Sequence, residues 1–375
     1  MKKTIVSIIS EQTIPNYLFI KEVMNDGDRL LMITSSKVRN RIDWILDTLK
    51  VDRSSVQIQA IDEESWASMV EGTKAILDSN TEYHVNLTGG TKYMSLAMFQ
   101  VFSALNSWFY YIPYPKNSYY RFSSQEGENL STPINTRLTV QEYFSNYHVP
   151  IKKGTLFFEN SIYCKKMMEF FCKDGFFTEE DRVIIEKLRS YRNSNIRINA
   201  IETKVHDEKK PQIKGLRSFL NKIEYPLSDV DALTKYDTRF LTGGWYEEYV
   251  YDLIKTRIQP QDIAIGVTVI NSENTEQNDL DVVFTLGNKL FVVECKTGIA
   301  GEKMFRETVY KATALKEILL GLSGNSYIFS LNQDPDEKTK KTAKNMGITY
   351  YDRPFFLSEE KFEMIVNDIR NRAQD

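Results

Sequence analysis

Histidine and cysteine are scarce in this chain, three of each in 375 residues. Cys164, Cys172 and Cys295 are too few and too scattered for a disulfide framework or a zinc site, which points to a reduced compartment. His84, His148 and His206 form neither an HxH nor an HExxH pattern, so a histidine-based hydrolytic centre would lack its pair. His84, inside the strand-like Tyr83-His84-Val85, reads as a structural residue. Long apolar runs are missing as well; none reaches the roughly 18 residues that cross a bilayer. Met1-Lys2-Lys3 leads at once into a strand-like run ending at Ser10, without a small-residue cleavage site. No signal peptide is expected, and the cytoplasm is the expected location. Positive charge is not in excess either. A net charge of −3 weighs against a globally cationic nucleic-acid binder but is compatible with a locally cationic site.

What is present is concentrated between Asp281 and Lys296. Gly287-Asn288 is a two-residue hairpin turn between two β-rich runs. Folding about it sets Asp281 opposite Glu294, with Cβ atoms roughly 4.5–5.5 Å apart. Lys296, two positions on, points to the same face. Two facing carboxylates at a strand end, with a lysine beside them, form a divalent-cation site directed at phosphate. Glu-x-Lys by itself says little when 26% of residues are charged; Glu208-Lys209-Lys210 and Glu359-Glu360-Lys361 lie in polar surroundings and read as solvated charge. Glu294 differs because it ends the apolar run Leu290–Val293, where an unpaired acid is costly to bury. The competing reading is a structural ion pair of Lys296 with Glu294 or Asp279. A third acid lies upstream. Thr242-Gly243-Gly244 opens a helix predicted to run to about Arg257, with its apolar face at Trp245, Tyr249, Val250 and Leu253. Glu247 sits in its first turn, where the helix dipole favours negative charge; Glu248 is the alternative if the helix is rotated.

Residues 1–115 alternate strand and helix patterns. Strands are predicted at 4–10, 29–35, 55–61, 83–88 and 107–113, with helices near 15–25, 37–50, 64–79 and 91–106. Apolar strands separated by helices imply a parallel, doubly wound sheet, whose ligands bind at the carboxyl ends of strands where the strand order reverses. The loop after the first strand, Ser10 to Asn16, is not GxGxxG, which argues against dinucleotides. After the fourth comes Thr88-Gly89-Gly90-Thr91-Lys92. Its glycines allow close backbone approach, and the following helix offers free N–H groups to an anion. It lacks the Walker A order and spacing.

The C-terminal pattern of helical Glu247, Asp281 and Glu294-x-Lys296 resembles the core of the PD-(D/E)xK nuclease superfamily. The two N-terminal loops resemble those of the CRISPR-associated Rossmann-fold (CARF) domain. Together, over roughly 1–135 and 240–355, the chain resembles the CARF-domain ancillary nucleases of type III CRISPR systems. The resemblance implies an α/β protein: a CARF sensor at 1–137, a linker and helical connector at 138–236, and a restriction-endonuclease-like α/β nuclease domain at 237–375. It further implies that Asp281, Glu294, the Cys295 carbonyl and Glu247 hold Mg²⁺ or Mn²⁺, with Lys296 acting on the attacking water or the developing charge. Asp279 would stand behind them. A homodimer would enclose one symmetric pocket for a cyclic oligoadenylate, four adenylates suiting two-fold symmetry best. Ser10, Gln12 and Thr13 would line one wall; Thr88, Gly89, Gly90, Thr91 and Lys92 would meet ribose and phosphate. Ser35, Ser36 and the loop Tyr114–Asn117 are weaker members. The implied substrates are single-stranded DNA and RNA, with duplex nicking a further option.

The remaining segments are less specific. A hinge is expected over 116–153 and a polar loop over 193–211. Helices are expected near 159–173, 178–192, 212–222 and 228–236, Thr178–Asp181 being a capping start. They read as a connector packed on the nuclease domain, a winged-helix-like or dimerisation element being the alternative. A helix at 302–320 would carry Lys303, Arg306 and Tyr310 on one face, able to meet phosphates and stack a base. Two rival functions stand beside a gated nuclease: an ungated restriction or repair endonuclease, and a regulator that binds without cutting.

Overall fold

The computed structural model describes residues 3–124, 130–157, 162–173, 175–203, 210–227, 231–270, 276–297, 325–331 and 337–374. The chain begins with strands β1 (Lys3–Ile8), β2 (Arg29–Thr34), β3 (Val56–Ala60), β4 (Glu82–Asn86) and β5 (Ser107–Tyr111), all mutually parallel. Between them lie helices α1 (Ile14–Val23), α2 (Arg41–Leu49), α3 (Trp66–Lys74) and α4 (Lys92–Ser103). The sheet order β3-β2-β1-β4-β5 reverses direction between β1 and β4. The loops after these two strands therefore flank the crevice where doubly wound sheets bind ligands.

The hinge expected over 116–153 is structured instead. β6 (Ser118–Ser123) and β7 (Leu130–Pro133) add an antiparallel hairpin to the edge of this sheet, Tyr120 pairing with Tyr111. The polar composition concealed β6, whose Tyr119 and Tyr120 suit a half-buried strand. Helix α5 (Val140–Ser145) follows, started by a capping box of Thr139 and Glu142. A two-residue strand, β8 (Ile151–Lys152), then joins a second sheet.

The connector is helical, with corrections. α6 (Ile162–Cys172), α7 (Glu179–Arg189) and α9 (Leu216–Lys222) match expectation, and Thr178 and Asp181 form the foreseen capping box. The polar stretch 193–211, expected as a loop, holds β9 (Ile196–Arg197) and α8 (Ile198–Thr203). The helix expected at 228–236 is a short strand, β10 (Ala232–Leu233), paired with β9 and followed by α10 (Lys235–Arg239). Thr234 caps α10 with Asp237, so the helix starts later than apolar periodicity suggested.

A π-helical turn at Phe240–Gly244 leads into α11 (Trp245–Arg257). Its buried stripe is Trp245, Tyr246, Val250 and Ile254, with Tyr249 and Leu253 only partly covered, a rotation from the expected face. Strands β11 (Asp262–Ile270), β12 (Glu276–Leu286) and β13 (Lys289–Lys296) form an antiparallel meander; β14 (Asn325–Ser330) and β15 (Ile348–Tyr351) continue it in parallel. The helix expected at 302–320, with Lys303, Arg306 and Tyr310, lies outside the described residues. Two cores enclose this second sheet. Connector side chains such as Met167, Leu188 and Phe219 share one with Trp245, Val250, Phe291 and Val293. The other joins Tyr17, Leu18, Tyr143 and Phe144 to Val267, Val283, Leu290 and Val292. Each such buried side chain contributes about 1.5–3 kcal/mol, so both the connector and the N-terminal domain are welded to the strands that bear the acids.

Candidate functional site

Gly287 and Asn288 both adopt positive φ, 60° and 58°, the conformation of a type I′ hairpin turn. The register is the expected one, Leu286 facing Lys289 and Val282 facing Val293. One step further the carboxylate of Asp281 replaces the backbone partner: the Cys295 N–H donates to its Oδ2 at 2.7 Å. Lys296 Nζ donates to Glu294 Oε1 at 2.5 Å, so the ion pair weighed as a competing reading is present in the same cluster. Asp279 accepts a hydrogen bond from Thr268 Oγ1 at 2.8 Å, toward β11.

Glu247 belongs to this cluster and Glu248 does not. Burial raises the pKa of the Glu247 carboxyl, as does the charge of Glu294, while Arg192 and Lys296 oppose the rise. Glu248 turns the other way, accepting from the Phe157 N–H and from Cys164 Sγ at 3.6 Å. Asp281 is pushed well above the usual carboxylate range, first by burial and then by the charges of Glu294 and Glu247. Burial lowers the Lys296 ammonium, but the Glu294 and Asp281 carboxylates outweigh it and the net shift is upward. Such mutually repelling acids suit a hard divalent cation, which prefers oxygen ligands. Among the described residues, however, no three Asp, Glu, His or Cys side chains already converge as a formed metal site. The Cys295 thiol is buried and held protonated. His84 bonds Tyr110 Oη at 2.7 Å and Glu82 Oε1 at 3.0 Å, far in sequence from the acids, as befits a structural histidine.

At the reversal between β1 and β4, Gly89 lies so close to β1 that an added Cβ would stand 2.0 Å from the Ile8 carbonyl oxygen. Thr91 caps α4 through the Met94 N–H at 3.2 Å, and Lys92 follows with its side chain exposed. Gln12 and Ser36 are exposed; Ser10 is half-buried, its Oγ donating to the Gln12 carbonyl at 3.0 Å. Thr88 Oγ1 accepts the Ile112 N–H at 2.8 Å, and Ser35 is buried. Thr13 is a correction: it is fully buried and its hydroxyl donates to the Asn146 carbonyl, bracing α1 against the end of α5. Two asparagines escaped the sequence reading. Asn16 Nδ2 donates to Ser7 Oγ at 2.8 Å and to the Ile8 carbonyl at 2.7 Å, and Asn86 Oδ1 accepts the Thr88 N–H at 3.0 Å. For Asn86 the available signal was a polar residue ending an apolar strand, whereas Asn16 lies in the first turn of α1.

Residues 4–143 match the family model of the Card1 CARF domain, and residues 234–351 match that of the Card1-like endonuclease domain. The chain belongs to the CARF-domain endonucleases. Two solved structures share its fold along nearly the whole length. Protein VC1899 from Vibrio cholerae is 16% identical at a TM-score of 0.75, covering 99% of this chain and 98% of that one. Can2 from Sulfobacillus thermosulfidooxidans, solved in complex with cyclic tetra-adenylate, is 20% identical at 0.68, covering 97% and 99%. No curated protein matches the sequence. No helix among the described residues is long and apolar enough to cross a membrane.

In this CARF-domain endonuclease the two matched domains meet at the hairpin turn. The loop Tyr114–Asn117, expected over the ligand crevice, contacts that turn instead. Tyr114 Oη donates to the Asn288 carbonyl at 3.2 Å and Asn117 Nδ2 to the Gly287 carbonyl at 3.0 Å. Asn288 is itself fully buried. Its Oδ1 accepts the Leu138 N–H at 2.9 Å, and its Nδ2 donates to Asn117 Oδ1 at 2.8 Å and to the Thr136 carbonyl at 3.1 Å. The turn that aligns Asp281 with Glu294 is thus bolted to the CARF domain.

Proposed function

We propose that this protein is a metal-dependent nuclease, switched on by cyclic tetra-adenylate, that cleaves single-stranded DNA or RNA in type III CRISPR defence. The observation that carries the reading is the cluster of Asp281, Glu294, Lys296 and Glu247 at the end of a hairpin bonded directly to the CARF domain. Asp281, Glu294 and the Cys295 carbonyl would hold Mn²⁺ or Mg²⁺, with Glu247 as a further ligand. When bound, the ion supplies an activated water and neutralises charge on the phosphate. Lys296 keeps its positive charge through Glu294 and Asp281 and can stabilise the developing oxyanion.

The sensor reading is supported by the crevice between β1 and β4 and by its buried, unmatched amide groups. Asn16 Oδ1 and Asn86 Nδ2 have no hydrogen-bond partner among the described residues. An anionic nucleotide carrying donors and acceptors would satisfy such groups. Ser10, Gln12, Thr88, Gly90, Thr91 and Lys92 stand around the crevice to meet it. Exposed Tyr93 and Leu96 on α4 favour a homodimer sharing one pocket. Activation requires only that the ligand bind the cutting geometry more tightly than the resting one.

The test is cleavage of labelled single-stranded DNA and RNA with Mn²⁺, with and without cyclic tetra-adenylate, beside Glu294→Gln. Cutting that needs both ligand and Glu294 supports the proposal. Cutting without ligand retains the nuclease and removes the sensor. No cutting by the parent under either condition rejects the nuclease.

A further inference from the structure

We infer that Arg192, supplied by the helical connector, is a phosphate-binding residue of the nuclease centre. This rests on the nuclease reading above and adds a residue that no part of the acid-lysine motif contains. Arg192 lies just past α7. Its Nε–H donates to Thr242 Oγ1 at 2.7 Å and an Nη2–H to the Thr242 carbonyl at 3.2 Å. Thr242 is buried and its hydroxyl donates onward to the Thr238 carbonyl at 2.7 Å, so the anchor is rigid. The guanidinium is thereby fixed over the turn that starts α11, three residues before Trp245 and two more before Glu247.

Gly243 makes room for it. A Cβ there would stand 3.3 Å from Arg192 Nη2 and 3.9 Å from Thr297 Oγ1, the residue after Lys296. Arg192 therefore sits between the start of α11 and the end of β13, the two elements that bring the acids together. Its charge is felt there: it opposes the raised Glu247 carboxyl more strongly than Lys296 does, and Glu247 and Asp281 in turn act on Arg192.

The availability of the guanidinium distinguishes it from its neighbours. Four other connector cations are taken up in ion pairs: Arg182 with Glu179, Arg189 with Glu186, Arg217 with Asp231 and Lys222 with Asp181. Arg192 has no carboxylate within ion-pair distance among the described residues. Of the five N–H groups a guanidinium carries, two go to Thr242, and the remaining three have no partner among those residues. The residue is nonetheless solvent-exposed, so a ligand can reach it. An anchored guanidinium with a free N–H edge is built for two-pronged contact with a phosphate, which a lysine cannot reproduce. A brace for the Thr242 turn alone would need neither the free edge nor the acids beside it.

The full-length protein tests this with Arg192→Met and Arg192→Lys beside Glu294→Gln. Cleavage is read with Mn²⁺ and cyclic tetra-adenylate. Binding of labelled single-stranded DNA is read by anisotropy across a salt series, with Ca²⁺ in place of Mn²⁺. Arg192→Met should cut at least tenfold more slowly, and its slope of log K against log salt should fall by about 0.7, one phosphate contact on a single strand. Arg192→Lys should keep the slope and still lose about fivefold or more in kcat, a result that stands even if the methionine variant fails to fold. An Arg192→Met variant that is slower at the parental slope would make Arg192 a brace only and overturn the assignment, as would parental rate and slope together in either variant. Should the parent not cut while Arg192→Met still lowers the slope, phosphate binding stands and the nuclease reading falls.

Discussion

Replacing Asn288 by alanine should loosen the joint between the CARF and endonuclease domains, and the size of the effect follows from its bonds. The substitution leaves the Leu138 amide without its acceptor in a buried place, which costs about 1–3 kcal/mol. Two further acceptors, Asn117 Oδ1 and the Thr136 carbonyl, lose one donor each and add about 0.5–1 kcal/mol together. At φ 58° alanine also brings a left-handed penalty of about 1 kcal/mol. The total is roughly 2.5–5 kcal/mol of unfolding free energy. Asn288→Gly loses the same bonds without the left-handed penalty and should be about 1 kcal/mol milder. Urea denaturation of parent, alanine and glycine variants measures both differences. Under the proposed gating, the stimulation of cleavage by cyclic tetra-adenylate should shrink in step, because the turn no longer reports on Asn117 and Leu138. An alanine variant within about 0.5 kcal/mol of the parent, or equal in stability to the glycine variant, would refute the accounting.

Two further outcomes follow from the packing and the charges. Asp281→Asn should abolish cleavage and yet raise metal-free stability at neutral pH by about 1–2 kcal/mol, because it removes one of several crowded acids. The sign is set by linkage: the folded pKa values of Asp281 and Glu247 lie above their ordinary 3.8 and 4.5. The stability they contribute is complete below those ordinary values and is lost as pH rises through the folded ones. Melting in EDTA from pH 4 upward should therefore fall more steeply for the parent than for Asp281→Asn; parallel curves would show that the acids do not repel. Gly89→Ala forces a Cβ to 2.0 Å from the Ile8 carbonyl oxygen, so the ends of β1 and β4 must part. It should cost about 3 kcal/mol and weaken cyclic tetra-adenylate at least tenfold by calorimetry, and unchanged affinity would remove this crevice as the pocket.

Much of this was legible in one dimension because the signals were local. Alternating strands and helices specify the parallel sheet, and Gly287-Asn288 specifies a type I′ turn, since positive φ at both positions suits those residue types. That turn sets the register, and the register aligns Asp281 with the strand end of Glu294 and Cys295. The choice between Glu247 and Glu248 was not local. It depends on the rotation of α11, which Tyr246 and Ile254 decide by packing against the connector, leaving Glu248 to bond Phe157 and Cys164. The same holds for Thr13, a plausible loop hydroxyl in sequence that α5 captures from 133 residues away. Composition disguised β6 as linker because a polar strand shows what it is only through the neighbours it pairs with, here β5 and β7. Arg192 carried no sequence signal, since a cation in a polar stretch looks solvated until folding brings Thr242, Gly243 and Glu247 around it. Backbone turns and periodicity act over a few residues and are written in the chain. The company a side chain keeps is settled by burial between distant segments, and only the tertiary structure decides it.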